Sequence, residues 1–86
     1  MRSMEPHSDR LTVEDRRELK DSDFGLPGSR EFPMPDAAHV RAAEAYFRYA
    51  DDSEKPLLAH RILLKADQFG VDIKSPTIEE WARRYK

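Results

Sequence analysis

A chain of 86 residues and 10.0 kDa, with 37% charged and 38% hydrophobic residues, has room for one domain with a thin core. Its formal net charge of −2 excludes the cationic excess on which strong non-specific nucleic-acid binding depends. With no cysteine there is neither a disulfide framework nor a thiolate zinc site, and no apolar run approaches the roughly 20 residues of a membrane-spanning helix.

Residues 1–9 lack the apolar stretch of a signal peptide and read as a disordered tail, so a soluble cytoplasmic protein is expected. Residues 10–86 read as a single helical domain, with an extended strap over 21–35 and a helical core over 36–86. The fold class expected is all-α: a small bundle of three main helices, plus a short N-terminal helix and the Pro/Gly-rich strap.

From Leu11 to Lys20 the sequence suits a short helix, with Thr12 as N-cap and Asp15 completing a variant capping box. Only Leu11, Val13 and Leu19 are apolar there, so the helix needs to dock on something to persist. The next segment, from Asp21 to Pro35, is expected to be irregular. Its prolines remove amide donors and bias their predecessors toward extended geometry. Phe24, Leu26, Phe32 and Met34 are nonetheless too apolar for an idle linker, and the strap should cap one end of the core.

Asp36 is a good N-cap for a second helix running to Tyr49 or Ala50, with Val40, Ala43, Phe47 and Ala50 on one stripe. Ser53 is the expected cap of the third helix, and Pro56 falls in its first turn, where a missing N–H costs little. Leu57, Leu58, Ile62, Leu63, Leu64, Ala66 and Phe69 cover most of that helix, making it the most buried element. Gly70 suits a left-handed C-cap with Val71 packing back. Ser75-Pro76 opens a fourth helix, with Thr77 and Glu80 as a competing capping box; Ile78, Trp81, Ala82 and Tyr85 share a face.

No catalytic constellation emerges. His7, His39 and His60 show no pair at the i,i+4 spacing of a helical metal site, so neither metal nor cofactor is expected. No serine lies in a Gly-x-Ser-x-Gly setting, and Gly25-Leu-Pro-Gly28 lacks the Lys-Ser/Thr of a phosphate loop. Phe24, Leu26, Trp81 and Tyr85 are candidate contacts for a protein partner, since aromatic side chains are enriched at such contacts. Arg41, Arg48, Arg61, Lys65, Arg83 and Arg84 are candidate nucleic-acid contacts, with Tyr46 and Tyr49 nearby, although acids are interleaved among them.

One segment carries a resemblance. Asp21, Ser22, Phe24, Leu26, Pro27, Arg30, Phe32, Pro33, Asp36, His39, Val40 and Ala43 follow a distinctive order. It runs from an acidic-Ser-x-Phe start through a Leu-Pro turn, a basic residue and an aromatic-Pro pair to Asp-x-x-His-Val-x-x-Ala. This resembles a small uncharacterised domain of bacteriophage and prophage proteins, more loosely through Tyr46-Phe47 and Leu58-Ala59-x-x-Ile62, over about residues 11–70. Ser75–Lys86 departs from that pattern.

The resemblance implies a phage-related or virion-associated context and supplies no catalytic residue. Physically, the motif reads as a structural clasp of Asp36, His39, Phe32 and Pro33. Asp36 caps the helix, while His39 packs against the Phe32-Pro33 strap and donates to a strap carbonyl. The function expected is a non-enzymatic protein-binding or self-associating assembly module; the alternative is a nucleic-acid-binding accessory protein using the helical cations.

Overall fold

In chain order, the computed structural model runs α1 (Val13–Glu18), β1 (Phe24–Leu26), β2 (Glu31–Pro33), α2 (Ala37–Tyr46), α3 (Lys55–Phe69) and α4 (Pro76–Arg83). The structure describes residues 12–86, so the tail expected over 1–9, together with Arg10 and Leu11, lies outside the described residues. The chain is predominantly helical. It is not all-α, because the strap folds into a two-stranded antiparallel sheet in the register Phe24↔Pro33 and Leu26↔Glu31.

The prolines that argued for irregularity occupy positions where no ladder donor is required. Pro27 and Gly28 lie in the turn, closed by the Arg30 amide on the Pro27 carbonyl at 3.2 Å. Pro33 ends β2, and the Met34 amide continues the pairing to the Asp23 carbonyl at 2.7 Å. The hairpin also places two non-glycine residues in the left-handed region, Arg30 at φ 57° and Phe32 at φ 58°. For an aromatic residue that backbone is strained.

Gly25 lets the hairpin approach α3. A Cβ there would lie 2.5 Å from Leu58 Cδ1 and 3.1 Å from both Met34 Cε and Phe32 Cβ. Leu26 and Met34 thus join Val40, Ala43, Phe47, Leu58, Ala59, Ile62, Ala66, Ile73 and Ile78 in one core. Each large apolar side chain fully buried there contributes about 1.5–3 kcal/mol. α3 lies at the centre, packed against α4, α2 and β1.

The helix ends follow local chemistry in most places. Thr12 and Asp15 exchange side chain-to-amide bonds of 3.0 and 3.2 Å, and Ser75 Oγ accepts from the Ile78 amide at 3.3 Å. Ser75, not Thr77, caps α4. Gly70 takes φ 71° at the end of α3, and the Val71 amide returns to the Ala66 carbonyl at 2.8 Å.

Two expected boundaries are corrected. Ser53 does not cap α3: the chain winds into the helix through a turn whose Asp51 and Asp52 carbonyls take the Lys55 amide at 3.1 and 3.3 Å. α2 ends at Tyr46 rather than at Tyr49 or Ala50, and tightens into a 3-10 turn over Phe47–Tyr49.

α1 buries no residue, and Val13 is 67% exposed. It docks by polar contacts instead. Arg16 Nη2 donates to the Arg30 carbonyl at 2.6 Å, and Arg30 Nη2 donates back to the Arg16 carbonyl at 2.7 Å and the Leu19 carbonyl at 3.2 Å. Both guanidinium groups lie over the Phe24 ring, 5.6 and 4.5 Å from its centroid.

Candidate functional site

Asp36 builds the site from the start of α2. Its Oδ1 accepts from the His39 amide at 2.9 Å and lies 2.8 Å from His39 Nδ1. Partial desolvation acts to raise the Asp36 pKa, but the hydrogen bonds from the His39 ring and amide outweigh it and leave the carboxyl below its ordinary value. An ionised carboxylate can only accept, so the His39 proton facing it sits on Nδ1.

The His39 ring is 4% exposed, and its Nε2 is buried with no hydrogen-bond partner. In the neutral ring that atom is a lone-pair acceptor. Leaving such a group unsatisfied costs about 1–3 kcal/mol. The same ring lines a groove of about 200 Å³ between β2 and α2, walled by Phe32, Pro33, Ala42, Ala43 and Tyr46. His39, Ala42 and Tyr46 reach it because they recur at helical spacing. Phe32 reaches it from the strained turn of β2.

On the rim, the 3-10 turn brings Tyr49 to Tyr46, with ring centroids 6.1 Å apart and the rings 59% and 67% exposed for Tyr46 and Tyr49 respectively. The Arg48 guanidinium lies 4.9 Å from the Tyr49 centroid and donates to its hydroxyl at 3.1 Å. A larger depression of about 370 Å³ elsewhere is lined by Arg41, Glu44, Gly70, Val71, Asp72 and Lys74, and offers no buried unpaired polar atom.

Of the four clasp residues, Phe32, Pro33 and His39 line one groove and Asp36 holds the His39 ring without lining it, with a different bond from the one expected. His39 donates to Asp36 and not to a strap carbonyl, because Asp36 already holds Nδ1. The proposed partner contacts divide. Phe24 and Leu26 are buried within the chain, the first under Arg16 and Arg30 and the second in the core, so neither is available to a partner. Trp81 is half-buried against the core, with Arg84 and Lys55 over its ring at 4.4 and 5.7 Å. Tyr85 is exposed on one side and stacked on His60 at 4.5 Å on the other.

The six candidate nucleic-acid cations are not equivalent. Arg61 binds the hairpin, donating to the Phe24 carbonyl at 2.8 Å and the Ser22 carbonyl at 2.7 Å. Lys65 is largely covered and 3.7 Å from Asp23. Their commitment to the hairpin removes both from a free basic face. Arg41, Arg48, Arg83 and Arg84 are exposed, Arg84 within 3.8 Å of Glu80.

The sequence gives Ala42 no site role and sets Tyr46 only beside the candidate nucleic-acid cations, not at this groove. Their spacing from His39 was the signal, and it is the same signal an ordinary helix face gives. Among the described residues, no three His, Cys, Asp or Glu side chains gather to hold a metal ion, and no helix is long and apolar enough to cross a membrane.

A family model described as a family of unknown function (DUF6582) matches residues 3–76, most of the chain, and the protein belongs to that family. The match includes the hairpin, the groove, α2 and α3, and stops at the first residue of α4. No curated protein and no solved structure matches the chain.

Proposed function

We propose that this DUF6582 member is a non-catalytic protein-binding module that receives an apolar side chain of a partner in the groove between β2 and α2. The observation that carries the reading is the mostly apolar groove itself, walled by Phe32, Pro33, Ala42 and Ala43, with His39 and the exposed Tyr46 completing its lining. The left-handed backbone of Phe32, which forms one wall, is the kind of local strain that binding sites retain. The exposed Tyr46, Tyr49 and Arg48 on the rim are of the residue types that dominate binding energy at protein interfaces. A role as an accessory piece of a phage or prophage particle, with the protein in the virion or the cytoplasm, is part of this proposal; it rests on the motif over residues 21–43.

Selection from a random peptide display library tests the reading. Binders should be lost with Ala42→Leu, which fills the groove, and retained with Arg83→Ala on α4. Binders indifferent to Ala42→Leu would place recognition elsewhere and end the proposal.

The Arg48–Tyr49–Tyr46 cluster favours a second reading, a single-strand nucleic-acid platform in which bases stack on exposed rings. Anisotropy of a labelled oligonucleotide would then rise on binding at low salt and fall as salt increases. No binding at low salt removes it.

A further inference from the structure

We propose that the depression between the chain just before β1 and the side of α3 is an anion site that takes a phosphate monoester. It is separate from the groove between β2 and α2 and does not depend on the reading of that groove.

The depression holds about 220 Å³ and is lined by Ser22, Arg61, Leu64, Lys65 and Gln68. The last four recur at helical spacing, so α3 presents them on one side. Two of the five carry positive charge, and no carboxylate is among them.

The lysine is the least satisfied of these groups. Its side chain is 12% exposed and makes no hydrogen bond among the described residues; the nearest carboxylate oxygen, Asp23 Oδ1, stands off at 3.7 Å. Asp23 is held there by its other oxygen, Oδ2, which accepts from the Lys20 amide at 2.9 Å. Covering an ammonium without pairing its protons is unfavourable. The group is nonetheless within reach of a solute. His39 Nε2 is the only sealed side-chain polar atom without a partner among the described residues, so Lys65 Nζ is open to solvent.

Arg61 is oriented in advance. Its Nε and Nη2 donate to the Phe24 and Ser22 carbonyls at 2.8 and 2.7 Å. Those bonds use one edge of the guanidinium and leave the end edge, Nη1 with the second proton of Nη2. Such an edge matches two oxygens of a phosphate. The Ser22 hydroxyl and the Gln68 carboxamide, on exposed residues, add neutral donors.

Two cations with neutral donors beside them suit a compact anion of charge near −2. A phosphate monoester carries about −1.5 to −2 at neutral pH on three acceptor oxygens. A carboxylate brings a single charge and leaves one cation unmatched. Leu64, 54% exposed, supplies an apolar wall for the organic part of the ester.

The test is an NMR titration of the full chain with phenyl phosphate, inorganic phosphate and phenol. Phenyl phosphate should move the Ser22, Leu64, Lys65 and Gln68 amides and the Arg61 Nε resonance, at lower concentration than inorganic phosphate. Phenol should move none of them. Lys65→Gln removes the charge without breaking a hydrogen bond of the fold and should weaken phenyl phosphate roughly fivefold or more. Lys65→Arg should restore most of that loss, and Arg83→Gln on α4 should change nothing.

No movement of these resonances at a large excess of phenyl phosphate overturns the proposal. So do an equal response to phenol, and shifts spread evenly over Arg41, Arg48, Arg83 and Arg84, the mark of general counterion binding. Inorganic phosphate binding as tightly as the phenyl ester overturns the monoester assignment, and an unchanged affinity in Lys65→Gln overturns the role of the ammonium. The three probes on the unaltered chain decide the matter even if that variant does not fold.

Discussion

The two flanks of α3 are held by different physics. On one side, α4 packs apolar residues against the core, with Ile78 fully buried and Trp81 and Ala82 partly so. On the other, the hairpin buries Leu26 and Met34 in the same core but is also fastened, with α1, by arginines reaching backbone carbonyls: Arg16 to Arg30, Arg30 to Arg16 and Leu19, and Arg61 to Phe24 and Ser22. Apolar packing is non-directional and tolerates small shifts. Charged hydrogen bonds fix position closely, each contributing about 1.5–3 kcal/mol where buried and well under that where solvent reaches them. The arginine-fastened flank is the one that carries Phe32 and hence a wall of the groove. Its precision suits recognition, and α1 at its outer end, which buries no residue, should open first.

The sharpest way to break this contrast is on the apolar flank. Ile78→Ala should cost about 2–5 kcal/mol through lost burial and a residual cavity. In a domain of this size, each kcal/mol lowers the melting temperature by roughly 4–8 °C, and the loss should appear as one cooperative transition. A change below about 1 kcal/mol would mean that α4 is not part of the cooperative unit.

Arg61→Met removes two carbonyl bonds while keeping much of the apolar stem, and should cost about 2 kcal/mol. Its signature is local. Native-state hydrogen exchange should accelerate at the Met34 amide well before the amides of α3 respond. Uniform acceleration across the chain would erase the distinction between the flanks. Gly25→Ala tests the approach of the same hairpin to α3. The added methyl meets Leu58 and Met34, both fully buried, and should cost about 1–2 kcal/mol by overpacking. Pairing it with Leu58→Ala should recover part of that loss in a double-mutant cycle, and a purely additive pair would refute the contact.

What the sequence disclosed follows from the range of each interaction. Thr12, Asp36, Gly70 and Ser75 act within four residues of themselves, and their capping roles could be read directly. Ser53 misled because its neighbours' carbonyls, rather than its hydroxyl, receive the first amides of α3. The hairpin was hidden for two reasons. Its prolines look like breakers unless the register is known, and its left-handed residues are Arg30 and Phe32, not glycine. Arg61 was read as a surface cation because its acceptors lie 37 and 39 residues away along the chain. At the site, Asp36 and His39 were legible as a pair three residues apart. The unpartnered Nε2 was not, since a missing partner is a property of everything packed around it.

The smallest expected effect is also the most selective. Asp36 caps α2 and accepts from the His39 ring with a carboxyl held below its ordinary pKa of about 3.8. A carboxyl whose folded pKa is depressed contributes stability that is full above its unfolded value and is lost as pH falls through the lower folded value. Asp36→Asn keeps a comparable N-cap, so near neutral pH it should cost only about 0.5–1 kcal/mol, because the Asp36 carboxylate is half exposed and screened by solvent. That difference should persist down to about pH 4 and close below it, as the wild-type carboxyl takes up its proton. Urea unfolding of both proteins at about pH 7 and about pH 2.5 measures it. A gap that stays constant with pH would show that the Asp36 charge does no work at the clasp, and would leave the orientation of His39 to packing alone.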